Sequence, residues 1–395
     1  MKSRSLGAGL LLLSVASLVV SRALAQSQPQ SPSVQAPTSQ SSSADAVVSP
    51  DVRPDGRVIF RIYAPKATAV SVRGDWGQTR RLEAAVLAKD ETGVWSVTLG
   101  PLAPNVVRYT FLVDGVTVVD QRNKTVVAGN NVVQSVVLIP GTGADFMALK
   151  PVAHGAVKTV WYQSASLGMA RRMHIYTPPG YDVSRDRLPV LYLLPGAGGD
   201  DEQWSAIGRV GFILDNLLAA TKIRAMVVVM PNPVVPGQPA DILPVAPSED
   251  KFTDDLLKDV MPYVETNLRV RTDPESTALA GLSTGGGRTL LIGLNNLNRF
   301  SQLGLFSAGW FPKDLAEVEK RHQRVLDDQE TKKRLKLLWI GVGTGDLSAA
   351  YPNTPYLLQM LQRHGIKYTY RETDGDHTWL NWRRYFTEFA PLLFR

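Results

Sequence analysis

An apolar strand-like run, Thr277-Ala278-Leu279-Ala280, leads directly into Gly281-Leu282-Ser283-Thr284-Gly285-Gly286-Gly287, and the helix-like stretch Arg288 to Leu294 follows. A serine raised at the tip of a strand-to-helix turn needs strained backbone, and flanking glycines remove the side chains that would clash there. G-x-S-x-G is a weak signal alone. Between a strand and a helix it restricts the chain to folds that present a serine hydroxyl at the end of a mostly parallel sheet. The competing reading is a glycine-rich turn that only joins two elements, and the context on both sides argues against it.

A serine hydroxyl is a poor nucleophile until a base takes its proton. Five histidines are available. His154 falls at a junction between segments, His174 in a strand-like run, and His322 and His364 in charged helical stretches. His377 lies in Asp374-Gly375-Asp376-His377-Thr378-Trp379, a loop after a strand near the C-terminus, where the base of such a fold normally sits. The orienting carboxylate is expected at the end of the preceding strand, and Leu337 to Gly345 runs into Asp346. Asp374 and Asp376 compete for that role but stand too close to His377 in sequence to reach its ring easily. The order Ser283, Asp346, His377 is the chain order of α/β-hydrolases.

A tetrahedral intermediate also needs hydrogen-bond donors aimed at its oxyanion. Leu191 to Leu194 reads as a strand that opens into Pro195-Gly196-Ala197-Gly198-Gly199-Asp200. The backbone N–H of Ala197 or a neighbour is expected to join that of Thr284. Dinucleotide binding is the rival for a glycine loop, but the G-x-G-x-x-G spacing is absent. No histidine and carboxylate cluster has metal-ligand spacing, and neither metal nor cofactor is expected. Trp204, Trp379 and Trp382 are candidate walls for an aromatic acyl or sugar group, with core packing the alternative for at least one.

Around this site the chain divides by texture. Residues 1–25 carry Lys2 and Arg4, an apolar run from Leu6 to Val20 and then Ala23-Leu24-Ala25, the pattern of a secretory signal peptide cleaved after Ala25. Residues 26–47, almost all Gln, Ser, Pro and Ala, are expected to form a disordered linker. Residues 48–145 hold short valine-rich and aromatic runs punctuated by Asp55-Gly56, Thr92-Gly93 and Asp114-Gly115, which read as a β-sandwich. From 150 to 395 apolar strands alternate with helical stretches, as in a parallel sheet covered on both faces.

The chain has no cysteine, which excludes thiol nucleophiles, thiolate metal sites and a lipid-modified cysteine at the cleavage point. The formal charge of +7 includes three cations of the leader, and no basic block follows, so nucleic acid is not an expected partner. No later segment is long and apolar enough to span a bilayer. The expectation is an exported protein, periplasmic or secreted, without stable membrane insertion after processing.

Two resemblances sharpen this reading. Val70 to Gly77, Gly93-Val94-Trp95 and Tyr109 to Gly115 resemble early-set, immunoglobulin-like modules related to glycogen-binding domains. There Trp95 is expected in the core, while Trp76, in a Gly-Asp-Trp-Gly turn, could pack or stack on a sugar. Pro178-Pro179-Gly180-Tyr181, the Leu193 to Asp200 loop, Met230-Pro231-Asn232, Asp259 to Glu265, Gly281-Leu282-Ser283, Phe306-Ser307-Ala308-Gly309 and Asp376-His377-Thr378-Trp379 resemble the esterase D-like family. That family includes feruloyl and acetyl-xylan esterases of carbohydrate esterase family one and the enterochelin esterases.

The resemblance implies an α/β-hydrolase that cleaves a carbohydrate-linked ester through an acyl-enzyme, with Ser283, Asp346 and His377 on the family's triad positions. Pro195-Gly196 stands where the family usually has His-Gly, and Thr284 where it usually has methionine. A ferric-siderophore esterase, an acyltransferase and a catalytically silent carbohydrate-binding protein are the alternatives.

Overall fold

The computed structural model describes residues 46–77, 82–129, 132–238, 250–308, 312–347 and 350–395. The expected signal peptide, and all but the last two residues of the expected linker, lie outside them.

The C-terminal domain is built on eight strands. They are β1 (Ala156–Ser164), β2 (Met169–Thr177), β3 (Val190–Leu194), β4 (Val227–Pro231), β5 (Thr277–Leu282), β6 (Gln302–Phe306), β7 (Leu337–Gly343) and β8 (Thr369–Thr373). Their order in the sheet is β1-β2-β4-β3-β5-β6-β7-β8. The β1–β2 and β2–β4 pairs are antiparallel, and the rest of the sheet is parallel. This is an α/β-hydrolase fold, as expected.

Strands β3 to β6 are buried at every position. Their side chains alternate between two cores. Val190, Tyr192 and Leu194 join one layer with Phe252, Leu291 and Leu357, while Leu191 and Leu193 join the other with Ile213, Trp204 and Phe386. Helices cover both faces, so the strands read as continuous apolar runs rather than alternating ones. Four helices matter for the site: α1 (Val210–Ala219), α2 (Thr284–Asn295), α3 (Thr354–Arg363) and α4 (Trp379–Phe389).

The N-terminal module is a sandwich of antiparallel sheets. One has four strands in the order Asp51–Val52, Val58–Tyr63, Val94–Leu99, Ala88–Lys89. The other runs Glu83–Val86, Val70–Gly74, Asn105–Val113, Val132–Ile139, Val126–Gly129, with Val116–Val118 paired to Asn105–Val113. Phe60, Val72, Trp95, Tyr109 and Phe111 fill the space between them. Trp95 Nε1 donates to the Ala64 carbonyl at 2.9 Å, so this indole is a core residue.

The strand Asn105–Val113 is buried on both sides for a specific reason. Val107, Tyr109 and Phe111 face the sandwich core, whereas Val106 and the neighbouring Val136 pack with Trp204, Trp379 and Phe386 of the hydrolase domain. The two domains therefore share an apolar core. Arg383 of α4, fully buried, ties them further: it donates to the Ile207 carbonyl in its own domain and to Asn105 Oδ1 and the Val106 carbonyl in the module.

Candidate active site

The sheet order brings three loops together at the C-terminal ends of the parallel strands. Ser283 follows β5, Asp346 follows β7 and His377 follows β8. Ser283 has φ +52° and ψ −122°, a conformation that L-residues avoid, and it is held there by its N–H donating to the Phe306 carbonyl at 2.8 Å. Gly285 is needed for close approach, since a Cβ at this position would stand 2.2 Å from the Pro195 carbonyl oxygen. The strained turn and the glycine loop after β3 are thus in direct backbone contact.

Ser283 Oγ lies 3.0 Å from His377 Nε2, placed to donate its proton. On the other side of the ring, Nδ1 lies 2.6 Å from Asp346 Oδ2. Because an ionised carboxylate only accepts, this contact puts the ring proton on Nδ1 and leaves Nε2 free to act as base. Asp346 is fully buried and its other oxygen accepts the Ala350 N–H at 3.3 Å. The Asp346 and His377 loops are laced together by Thr344 N–H to the Thr373 carbonyl and Gly345 N–H to the Gly375 carbonyl, both at 2.9 Å. Asp376 accepts the backbone N–H of His377, while Asn381 of α4 donates to the carbonyls of Asp374 and Asp376. The two rival aspartates shape the loop.

The other four histidines are engaged elsewhere. His154 contacts Asp215, His174 contacts Asp201, His322 contacts the Val318 carbonyl, and His364 lies between Glu319 and Asp327.

Pro195 to Gly199 curls over the nucleophile turn, with Gly199 N–H donating to the Gly196 carbonyl at 3.0 Å. A Cβ at Gly196 would sit 3.2 Å from the Cβ of Ser283. Thr284 opens α2, where first-turn N–H groups have no intrahelical acceptor. The Thr284 amide therefore adjoins Ser283, and Gly196, the neighbour of Ala197, packs against the nucleophile. The Thr284 hydroxyl is buried with no hydrogen-bond partner among the described residues.

The three tryptophans separate. Trp204 is a core residue rather than a wall of the site: it is only 1% exposed and its Nε1 donates to the Leu194 carbonyl at 2.9 Å. The buried Leu194 carbonyl gives the indole N–H an acceptor inside the core. Trp379 and Trp382 are mostly buried too, but each presents an edge to a cleft beside His377. Trp382 meets the imidazole edge to face.

The opposite wall of that cleft comes from the front module, through Asp75, Trp76, Asn105 and Arg108. Arg108 Nε pairs with Asp75 Oδ2 at 2.8 Å and fixes the turn that carries Trp76. Of these four, only Trp76 was marked by its turn in the sequence. The polar residues carry no local signal, because their relation to His377 arises from domain packing. Among the described residues no group of three or more histidine, aspartate or glutamate side chains is arranged to hold a metal ion.

The esterase family model matches residues 164–393, most of the C-terminal domain and more than half of the chain. The chain belongs to this esterase family. The front of the chain, residues 46–127, matches carbohydrate-binding module 48, the isoamylase N-terminal domain. The endo-1,4-beta-xylanase/feruloyl esterase of Xylanibacter ruminicola is 30% identical over 357 residues, which are 88% of this chain and 46% of the relative. The chain therefore spans about half the length of that relative.

Among solved structures, the enterobactin esterase from Shigella flexneri aligns with a TM-score of 0.60 at 19% identity, over 85% of this chain and 92% of its own. A CE1 ferulic acid esterase from Anaeromyces mucronatus, in complex with ferulic acid, aligns with a TM-score of 0.55 at 23% identity, over 63% of this chain and 95% of its own. At these identities the likeness is one of fold. The first of those alignments extends across the module as well as the C-terminal domain.

Proposed function

We propose that this chain is an exported serine carboxylic-ester hydrolase that removes feruloyl or acetyl groups from plant polysaccharide through an acyl-enzyme. The observation that carries the reading is the unbroken contact from Ser283 Oγ through His377 to the buried Asp346.

In the first half-reaction Ser283 Oγ attacks the ester carbonyl carbon while His377 Nε2 takes the hydroxyl proton. Asp346 keeps the ring oriented and stabilises the imidazolium. The N–H groups of Ala197 and Thr284 receive the oxyanion. The intermediate collapses by breaking the bond to the sugar oxygen, which leaves with the proton from His377. In the second half a water attacks the acyl-serine, His377 takes its proton, and collapse returns that proton to Ser283 Oγ. Ester and water become acid and alcohol, and the enzyme is restored.

The substrate class is supported by the lining of the cleft. Trp379 and Trp382 offer aromatic edges beside His377, while Trp76, Asp75 and Arg108 line the same cleft with the mixed aromatic and polar character that suits a sugar. The similarity of the front segment to a carbohydrate-binding module and the feruloyl esterase name of the Xylanibacter relative agree with this choice. The leader-like N-terminus supports export.

Feruloylated arabinoxylan, acetylated xylan and a catecholate trilactone, offered separately to the wild type and to Ser283→Ala, test the assignment. Release of ferulate or acetate that depends on Ser283 supports it. Serine-dependent turnover of the trilactone alone would replace it with the siderophore reading, and transfer of the acyl group to added sugar with an acyltransferase.

A further inference from the structure

Besides the pair at the nucleophile, the hydrolase domain holds a second buried aspartate–histidine pair. Asp201 lies two residues beyond the glycine loop that curls over Ser283, and its carboxylate is fully shielded from solvent. Its Oδ2 accepts from His174 Nδ1 at 2.7 Å and from Arg172 Nε at 2.8 Å, while Oδ1 accepts from Arg172 Nη2 at 3.1 Å. His174 Nε2 is in turn 3.0 Å from Thr159 Oγ1 on β1.

The placement of these partners matters. Arg172 and His174 are two residues apart on β2 and so lie on one face of the sheet. β2 is separated from β3, the strand the loop leaves, by β4. The segment from Pro195 to Asp201 is consequently held at two points. Its near end is wedged against the nucleophile turn, where Gly196 packs on Ser283 and the Pro195 carbonyl on Gly285. Its far end is tied across the sheet to β2 by a bidentate guanidinium and an imidazole. An asparagine has a single acceptor oxygen, its other terminal group being a donor, so three charge-assisted bonds depend on the carboxylate. The Ala197 amide lies between the two anchors.

From this geometry we infer that Asp201, gripped by Arg172 and His174, is a positioning residue that sets the Ala197 amide toward the oxyanion. The inference rests on the serine-hydrolase reading of the site. It touches neither substrate nor the reacting atoms, so its role must appear in the transition state and not in ground-state binding.

The test measures kcat and KM on methyl ferulate, the dissociation constant of ferulate, and the inhibition constant of an aryl boronate that forms a tetrahedral adduct with a serine. The proteins are wild type, Ser283→Ala, Asp201→Asn and Arg172→Met. In Asp201→Asn, kcat falls about a hundredfold, the order expected when an oxyanion donor is misplaced. KM and ferulate affinity stay within about threefold, and the boronate weakens in parallel with kcat/KM. Arg172→Met, which keeps the histidine bond and is partly exposed, shows the same pattern at about tenfold. It decides the matter if Asp201→Asn does not fold.

A variant with lowered melting temperature but unchanged kcat and boronate affinity would overturn the inference, as would equal losses in ferulate and boronate binding. If wild type neither turns over the ester nor binds the boronate, the serine-hydrolase reading itself fails. Wild-type activity that disappears in Ser283→Ala, together with full activity in both anchor variants, removes only the positioning role.

Discussion

The imidazole of His377 meets the indole of Trp382 edge to face, with ring centroids 4.9 Å apart and planes at 87°. Trp382 is one turn into the last helix, so this contact lets α4 set the angle of the base presented to Ser283. The indole N–H is buried without a hydrogen-bond partner among the described residues. Only the ring is therefore used.

Replacing that ring separates shape from polarity. Trp382→Phe keeps an aromatic edge and relieves an unpaired donor, and its kcat on an aryl ester is expected within about fivefold of wild type. Trp382→Ala leaves space into which His377 can turn, and kcat is expected to fall about tenfold to a hundredfold. Steady-state kinetics on the two variants check this.

Asp346→Asn should spare the fold and damage the chemistry. An amide at this position favours the wrong ring tautomer, and kcat is expected to fall about ten-thousandfold with little change in KM. Kinetics alongside circular dichroism test it. Equal loss in Asp374→Asn or Asp376→Asn would move the orienting role to the loop.

Arg383 is buried with no carboxylate in ion-pair range among the described residues, and burial works against its charge. Arg383→Met would leave the Ile207 and Val106 carbonyls without this donor, at a cost of about 2–5 kcal/mol. Arg383→Lys should recover little, because a single ammonium cannot reproduce the planar fork that reaches both domains. Urea unfolding measures the loss.

Acid should reveal the anchor of the glycine loop. Burial opposes ionisation of Asp201, but hydrogen bonds from His174 and Arg172 outweigh it and hold the carboxyl below the usual carboxylate range. The folded state therefore binds fewer protons than the unfolded chain at acid pH. This contribution is present above the unfolded value of about 3.9 and is lost as pH falls through the lower folded value. Asp200 has the opposite sign: burial raises its carboxyl, so its contribution to stability declines as pH rises through the window above the usual value. Urea midpoints of wild type and Asp201→Asn across the acid range should differ by a shallower slope in the variant.

How much of this could be read from the chain depends on whether a residue's role was set locally. Ser283 and Asp346 stand at the ends of strands that apolar runs announce, His377 follows the more polar β8, and the sheet order then brings the loops together. β6 gave no clear strand pattern, because Gly304 interrupts it. That glycine is where Phe389 packs, since a Cβ there would lie 2.8 Å from the Phe389 ring. β1 was equally quiet, being an edge strand with mostly exposed residues. Trp204 is the tryptophan of the three that goes to the core, and composition does not say which one finds a buried acceptor. Asp75, Arg108 and Asp201 gained their relation to the site only from packing between domains or across strands.

In the proposed mechanism Ser283 carries the acyl group. Intact-protein mass spectrometry after rapid mixing with an aryl ester and acid quench measures this directly. The expected result is a mass increase equal to one acyl group, mapped to the peptide containing Ser283 and absent from Ser283→Ala. Turnover by Ser283→Ala at the wild-type rate, or an adduct on another residue, would contradict it.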